Sequence, residues 1–172
     1  MAVQQTIVPN LWFDTQAEEA ARFYIEVFSS RIGAESRQKS EIMNVSHYPQ
    51  DGPGNKKAGD VLTVDFQLEG QRFTALNGGP EFTFNEAVSF LVNCESQEEI
   101  DELWDKLVVG GGEHGPCGWL KDRYGLSWQI VPIGMDEILT SPNREGAQRA
   151  FAAMMQMGKI DQAELERAYA GK

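Results

Sequence analysis

Cysteine and histidine are scarce in this chain. Of its 172 residues, two are cysteines (Cys94, Cys117) and two are histidines (His47, His114). Two thiols are too few for a disulfide framework, and both are expected to be reduced. Neither histidine has a partner at ligand spacing, so both read as exposed loop residues. Basic charge is also scarce. Fifteen Lys and Arg against 26 Asp and Glu leave a net charge of -11. Such a chain repels phosphate backbones, which excludes nucleic acid as the expected partner. No apolar run approaches the roughly 20 residues of a membrane span. The first six residues carry no basic region leading into an apolar stretch, so no signal peptide is expected and a cytoplasmic, non-membrane protein is the default.

What is present is a core-forming composition, 41% hydrophobic, arranged as a repeat. Residues 7–13 read as a strand with Leu11 and Phe13 on one face and Asn10 and Trp12 on the other. Thr15-Gln16-Ala17-Glu18 has the form of a capping box, followed by a helix with Ala17, Ala20, Ala21, Tyr24, Val27 and Phe28 on one stripe. A second strand is expected over 34–45, a Gly- and Pro-rich loop over 46–59, and a hairpin over 61–77. The pattern then recurs. Residues 87–93 alternate as a strand, Ser96-Gln97-Glu98-Glu99 is a second capping box, and Ile100, Leu103, Trp104 and Leu107 form a helical stripe. Gly110-Gly111-Gly112 stops that helix. The block 118–131 supplies a strand, a tight turn at Asp122–Gly125, and a last strand in which Leu126, Trp128 and Ile130 alternate with Ser127, Gln129 and Val131. The two caps lie 81 positions apart, so strand, capped helix and three strands occur twice. A helical tail follows, with stripe Ala147, Ala150, Phe151, Met154 and Met155 and a last helix capped at Asp161. The expected architecture is α+β, with modules over 1–80 and 81–135 and C-terminal helices over 136–172.

A βαβββ unit used twice resembles the vicinal oxygen chelate superfamily, which includes glyoxalase I, bleomycin-resistance proteins and extradiol dioxygenases. The sequence is more specifically similar to its PhnB-like branch, commonly labelled 3-demethylubiquinone-9 3-methyltransferase. The residues that carry the likeness are Asn10-Leu11-Trp12-Phe13 with 18–24, Phe73 to Pro80, 87–92, and Gly115 to Asp122 through Trp128 to Pro132. The resemblance implies curled mixed sheets around a cleft, helices on the convex side, and a homodimer. It also implies four metal-ligand positions, on the first, fourth, fifth and eighth strands. These fall near Asn10, Ala75, Ala87 and Gln129, with Asn77 and Ser89 within a residue or two. Alanine cannot coordinate and amides are weak ligands, so no metal and no cofactor is expected.

The ligand-lining candidates are therefore Asn10, Trp12, Ala75, Asn77, Ala87, Ser89, Cys117, Trp119 and Gln129. Aromatic walls with a few amides suit a flat or apolar small molecule, unless those side chains fill the cleft themselves. Two functional classes stay open: a metal-free binding protein, and a superfamily isomerase, lyase or transferase with a displaced metal, which His47 of a second subunit would complete. Methyl transfer is not expected, because the glycines follow a helix instead of leading into one.

Overall fold

The computed structural model describes residues 5–53 and 55–172; residues 1–4 of the segment inspected for a leader, and Gly54 of the 46–59 loop, lie outside it. The chain divides after Phe84 into two compact units. The first contains strands β1 (Asn10–Phe13), β2 (Glu41–His47), β3 (Val61–Leu68) and β4 (Gln71–Asn77), with helix α1 (Ala17–Ser29) between β1 and β2. Its sheet order is β1-β4-β3-β2, parallel between β1 and β4 and antiparallel elsewhere. The buried side of the sheet carries Leu11, Phe13, Val64, Phe66, Leu68, Phe73 and Ala75, and the α1 stripe adds Ala17, Ala20, Ala21, Tyr24, Val27 and Phe28. Residues 34–36 form a 3-10 turn instead of the start of a strand, and β2 begins only at Glu41. The 46–59 loop is tied back onto the unit. Tyr48 Oη donates to Asn77 O at 2.7 Å, and Lys56, only 5% exposed, reaches Asp14 at 3.1 Å.

The cap of α1 differs from the expected one. Thr15 makes no cap hydrogen bond to the helix. The first helical N–H, that of Ala17, donates to Asn77 Oδ1 at 2.8 Å, and Asn77 Nδ2 donates to Val61 O at 3.1 Å. A residue 60 positions away on β4 thus does the work assigned to the local threonine. Replacing Asn77 by Ala orphans a buried helix N–H and loses a second bond, so a loss of about 2 kcal/mol is expected. In a thermal melt that corresponds to a drop of roughly 4–8 °C. Thr15→Ala should leave the melting temperature nearly unchanged.

The second unit, Asn85–Lys172, repeats the plan with β5 (Ser89–Cys94), α2 (Gln97–Leu107), β6 (Glu113–His114), β7 (Trp119–Lys121) and β8 (Ser127–Pro132), in the order β5-β8-β7-β6. Ser96 Oγ does cap α2, accepting from Glu99 N at 3.3 Å, while the Glu99 carboxylate accepts from Glu95 N at 2.6 Å. Ile100, Leu103, Trp104 and Leu107 of α2 are buried, as are Leu120, Trp128 and Ile130 of the sheet. Three helices belong to the same compact unit: α3 (Met135–Leu139), α4 (Arg144–Met154) and α5 (Gln162–Ala170). The tail docks through 157–162. Cys117 N donates to Met157 O at 2.8 Å and Gly118 N to Gly158 O at 2.7 Å, while the Gln97 amide bonds both Ile160 O and Gln162 N. The buried stripe of α4 is Gly146, Ala150 and Met154, narrower than expected: Phe151 and Met155 are 52% and 51% exposed. Among the described residues no helix is long and apolar enough to cross a membrane.

Candidate functional site

Period-2 alternation in β8 sends Trp128 and Ile130 toward α2 and leaves Ser127, Gln129 and Val131 on the other side of the sheet. Ladder partners share a face. Ser89 and Leu91 of β5 stand beside Ser127 and Gln129, and Trp119 and Lys121 of β7 stand across from Gln129 and Ser127. Gln129 Nε2 donates to Ser89 Oγ at 2.8 Å, which fixes the amide against the edge strand. Three expected site residues, Ser89, Trp119 and Gln129, are thereby brought together on one face.

A cavity of about 510 Å³ is bordered by Glu86, Pro116, Cys117, Trp119, Lys121 and Ser127 among others. Lys121 Nζ and the Glu86 carboxylate form an ion pair at its border. The hydrogen bond from Lys121 holds the Glu86 carboxyl below its ordinary range, and the carboxylate holds the ammonium above its own. Both groups are exposed, so the pair contributes little to stability. Ser127 is only 1% exposed, and its Oγ has no hydrogen-bond partner among the described residues. His114 also borders the cavity, but its ring packs on α2, stacked on Trp104 at 4.5 Å with Nε2 3.0 Å from Trp104 O.

The wall at 115–119 is shaped by an unusual corner. Cys117 has φ +57° and Gly118 φ +82°, so two successive residues sit in the left-handed region. The Cys117 Sγ lies 3.5 Å from Met154 O and 3.8 Å from Met155 Sδ. Its thiol is therefore engaged with the end of α4, and Cys117 is a corner residue ahead of β7. The hairpin beyond is held by Asp122, 2% exposed, which accepts from Tyr124 N at 2.8 Å, Leu126 N at 3.1 Å and Trp128 Nε1 at 2.9 Å. Gly125, at φ +85°, closes the turn with its N–H on Asp122 O.

Other expected site residues fall elsewhere. Ala75, 0% exposed, and Asn77, 5% exposed, lie on the buried side of the first sheet with Phe73, and the Asn77 amide is committed to α1 and Val61. A contiguous register places Thr74 and Leu76, not Ala75 and Asn77, on the face that carries Asn10 and Trp12. Trp12 Nε1 donates to Gly79 O at 2.8 Å and its ring meets Phe82 edge-on at 5.0 Å. Ala87 is an exposed turn residue before β5, its N–H bonded to Asn85 Oδ1, because the strand starts at Ser89. Val88 is 64% exposed for the same reason. Taken unit by unit, these positions supply amides and methyl groups, and among the described residues no three His, Cys, Asp or Glu side chains come together as metal ligands. The donor set does not fit a divalent ion.

The fold coincides with a known lineage. A profile described as 3-demethylubiquinone-9 3-methyltransferase matches residues 5–131. The chain is 36% identical to a PhnB protein from Bacillus cereus, covering 74% of this chain and 99% of that one, with a TM-score of 0.57. The fosfomycin resistance protein FosX from Listeria monocytogenes shares the fold at 13% identity and a TM-score of 0.50, over 78% of this chain and 98% of that one. An uncharacterised protein of Mycobacterium tuberculosis is 31% identical over 99 residues, which span 56% of this chain but only 18% of that protein's length. The chain belongs to the 3-demethylubiquinone-9 3-methyltransferase family, the PhnB-like branch of the vicinal oxygen chelate superfamily.

Proposed function

We propose that the second unit binds a small, flat, largely apolar molecule and that it does so without a metal ion. The observation that carries this reading is the cavity beside β7 and β8, about 510 Å³, whose lining joins Trp119, Pro116, Cys117 and Leu120 to Ser127, with the Glu86–Lys121 pair at its border. Apolar walls with one or two placed polar groups are the usual makeup of small-molecule sites of this size. The methyl transfer in the family's description is not part of the reading. The glycines at 110–112 follow α2 and lead into β6, so this glycine run does not open onto a helix N-terminus of the kind that holds a phosphate or adenosyl group.

A panel of mono- and bicyclic aromatic compounds, read by thermal shift on protein prepared with a chelator, tests it. At least one compound should stabilise by about 2–3 kcal/mol at a hundredfold excess over its Kd. Trp119→Ala should remove most of that stabilisation through loss of the aromatic wall. A panel with no shift, or a shift that Trp119→Ala leaves intact, would contradict the reading.

A further inference from the structure

Resting on the cavity reading above, we infer that Ser127 is its specificity-determining residue: the ligand class it selects is a flat aromatic bearing a hydroxyl or carbonyl, in preference to a hydrocarbon of the same shape. A buried hydroxyl without a partner is uncommon, because leaving such a group unsatisfied is unfavourable. Ser127 Oγ is in that state at 1% residue exposure, in a residue that borders the cavity. Its neighbours on the same face do not relieve it. Gln129 Nε2 is directed to Ser89 Oγ, and Lys121, the ladder partner of Ser127, is directed to Glu86. A serine hydroxyl both donates and accepts, so a phenol or a carbonyl satisfies it equally.

The hydroxyl is closed to solvent as the chain stands, so a neighbouring side chain must move aside, and we assign that movement to Lys121, the ladder partner of Ser127. That movement is easy. The Lys121 and Glu86 side chains are 41% and 59% exposed, and surface pairs of this kind hold weakly. Apolar contact with Trp119 then supplies the attraction, and Ser127 decides which of two equally shaped molecules stays.

Calorimetric titration of the full chain with 2-naphthol and with 2-methylnaphthalene separates these contributions. Burial alone favours the methyl compound, which is the more apolar of the pair. Wild type should reverse that order and bind 2-naphthol roughly tenfold tighter, the effect of one satisfied buried hydrogen bond. Ser127→Ala should restore the preference for 2-methylnaphthalene while keeping its affinity within about twofold, and its melting temperature should equal or exceed that of wild type, since it removes an unsatisfied group. Wild type binding both probes with the methyl compound favoured would overturn this inference and leave the cavity reading standing. Retention of the naphthol preference in Ser127→Ala would overturn it too. Failure of both probes to bind wild type would overturn this inference, and the cavity reading falls with it where the wider aromatic panel also gives no shift.

Discussion

Asp122→Ala is expected to destabilise the protein by about 4 kcal/mol, one of the two largest effects of any substitution considered for this chain. The reason is local. Asp122 is 2% exposed and its carboxylate accepts three N–H groups, two from the turn backbone and one from the buried indole of Trp128. Hydrogen bonds to a charged acceptor are worth more than neutral ones, and each donor left behind in the interior adds its own desolvation penalty. Trp128 is 2% exposed and its ring sits against Phe90 at 5.7 Å, so the orphaned indole N–H has no route to water. For a chain of this length the loss corresponds to roughly 8–16 °C in melting temperature. Near-ultraviolet circular dichroism should lose the Trp128 contribution to its tryptophan signal, and the amides of Tyr124 and Leu126 should exchange faster. Asp122→Asn keeps one acceptor oxygen for the turn but sets an amide NH2 against the indole N–H, so an intermediate loss of about 2 kcal/mol is expected. A melting temperature within 2 °C of wild type for Asp122→Ala would contradict this account of the hairpin.

Gly118→Ala is the second large effect, and it strikes the cavity directly. Gly118 has φ +82°, where an L-residue is strained by roughly 1–2 kcal/mol. An added Cβ would also stand 2.8 Å from Ile130 O and 3.1 Å from Ile160 Cγ1. Ile130 N donates to Gly118 O, so the clash cannot be relieved without disturbing the ladder that positions Gln129. Ile160 is fully buried in the cluster that anchors the tail. A total of about 3 kcal/mol is expected, with ligand affinity falling more than tenfold because Cys117 and Trp119 move with the corner. Gly125→Ala makes the control. It has a similar φ of +85° but nothing within 4 Å of the added carbon, so only the conformational strain of about 1 kcal/mol should appear. Equal losses at the two glycines would show that the contact with Ile130 is not what constrains the corner.

Much of the fold was legible because its signals are local. The stripes of α1 and α2, the Ser96 and Asp161 caps, and the Asp122–Gly125 turn each depend on residues within a few positions of one another, and each is found in place. The alternation of β8 placed Gln129 and Trp128 on opposite faces, as found. What the sequence hid was non-local. Asn77 caps α1 from the end of β4, so nothing near Thr15 announces that the threonine is redundant. Ala75 and Asn77 share the parity of Phe73 and belong to the core; their facing was fixed only by the β3–β4 register, which pairs Phe73 with Phe66 and Ala75 with Val64. Ala87 precedes its strand because Asn85 turns the chain there. Ser127 had been visible as the neighbour of Gln129 on the less apolar face, but its unsatisfied hydroxyl depends on where Gln129 and Lys121 send their own groups, which alternation does not specify. The Cys117–Gly118 corner is likewise set by 157–160, forty residues downstream.

The face of β7 and β8 in the second unit is proposed to bind an apolar aromatic with no metal. The most direct test is two-dimensional amide NMR of isotopically labelled protein, stripped with a chelator and titrated with 2-naphthol. Saturable shifts are expected, concentrated at 113–121 and 127–129, with the indole resonance of Trp119 among the largest, and with no dependence on added zinc. Shifts that appear only after a metal is restored, or that cluster on β1 to β4 and leave Trp119 untouched, would contradict that proposal.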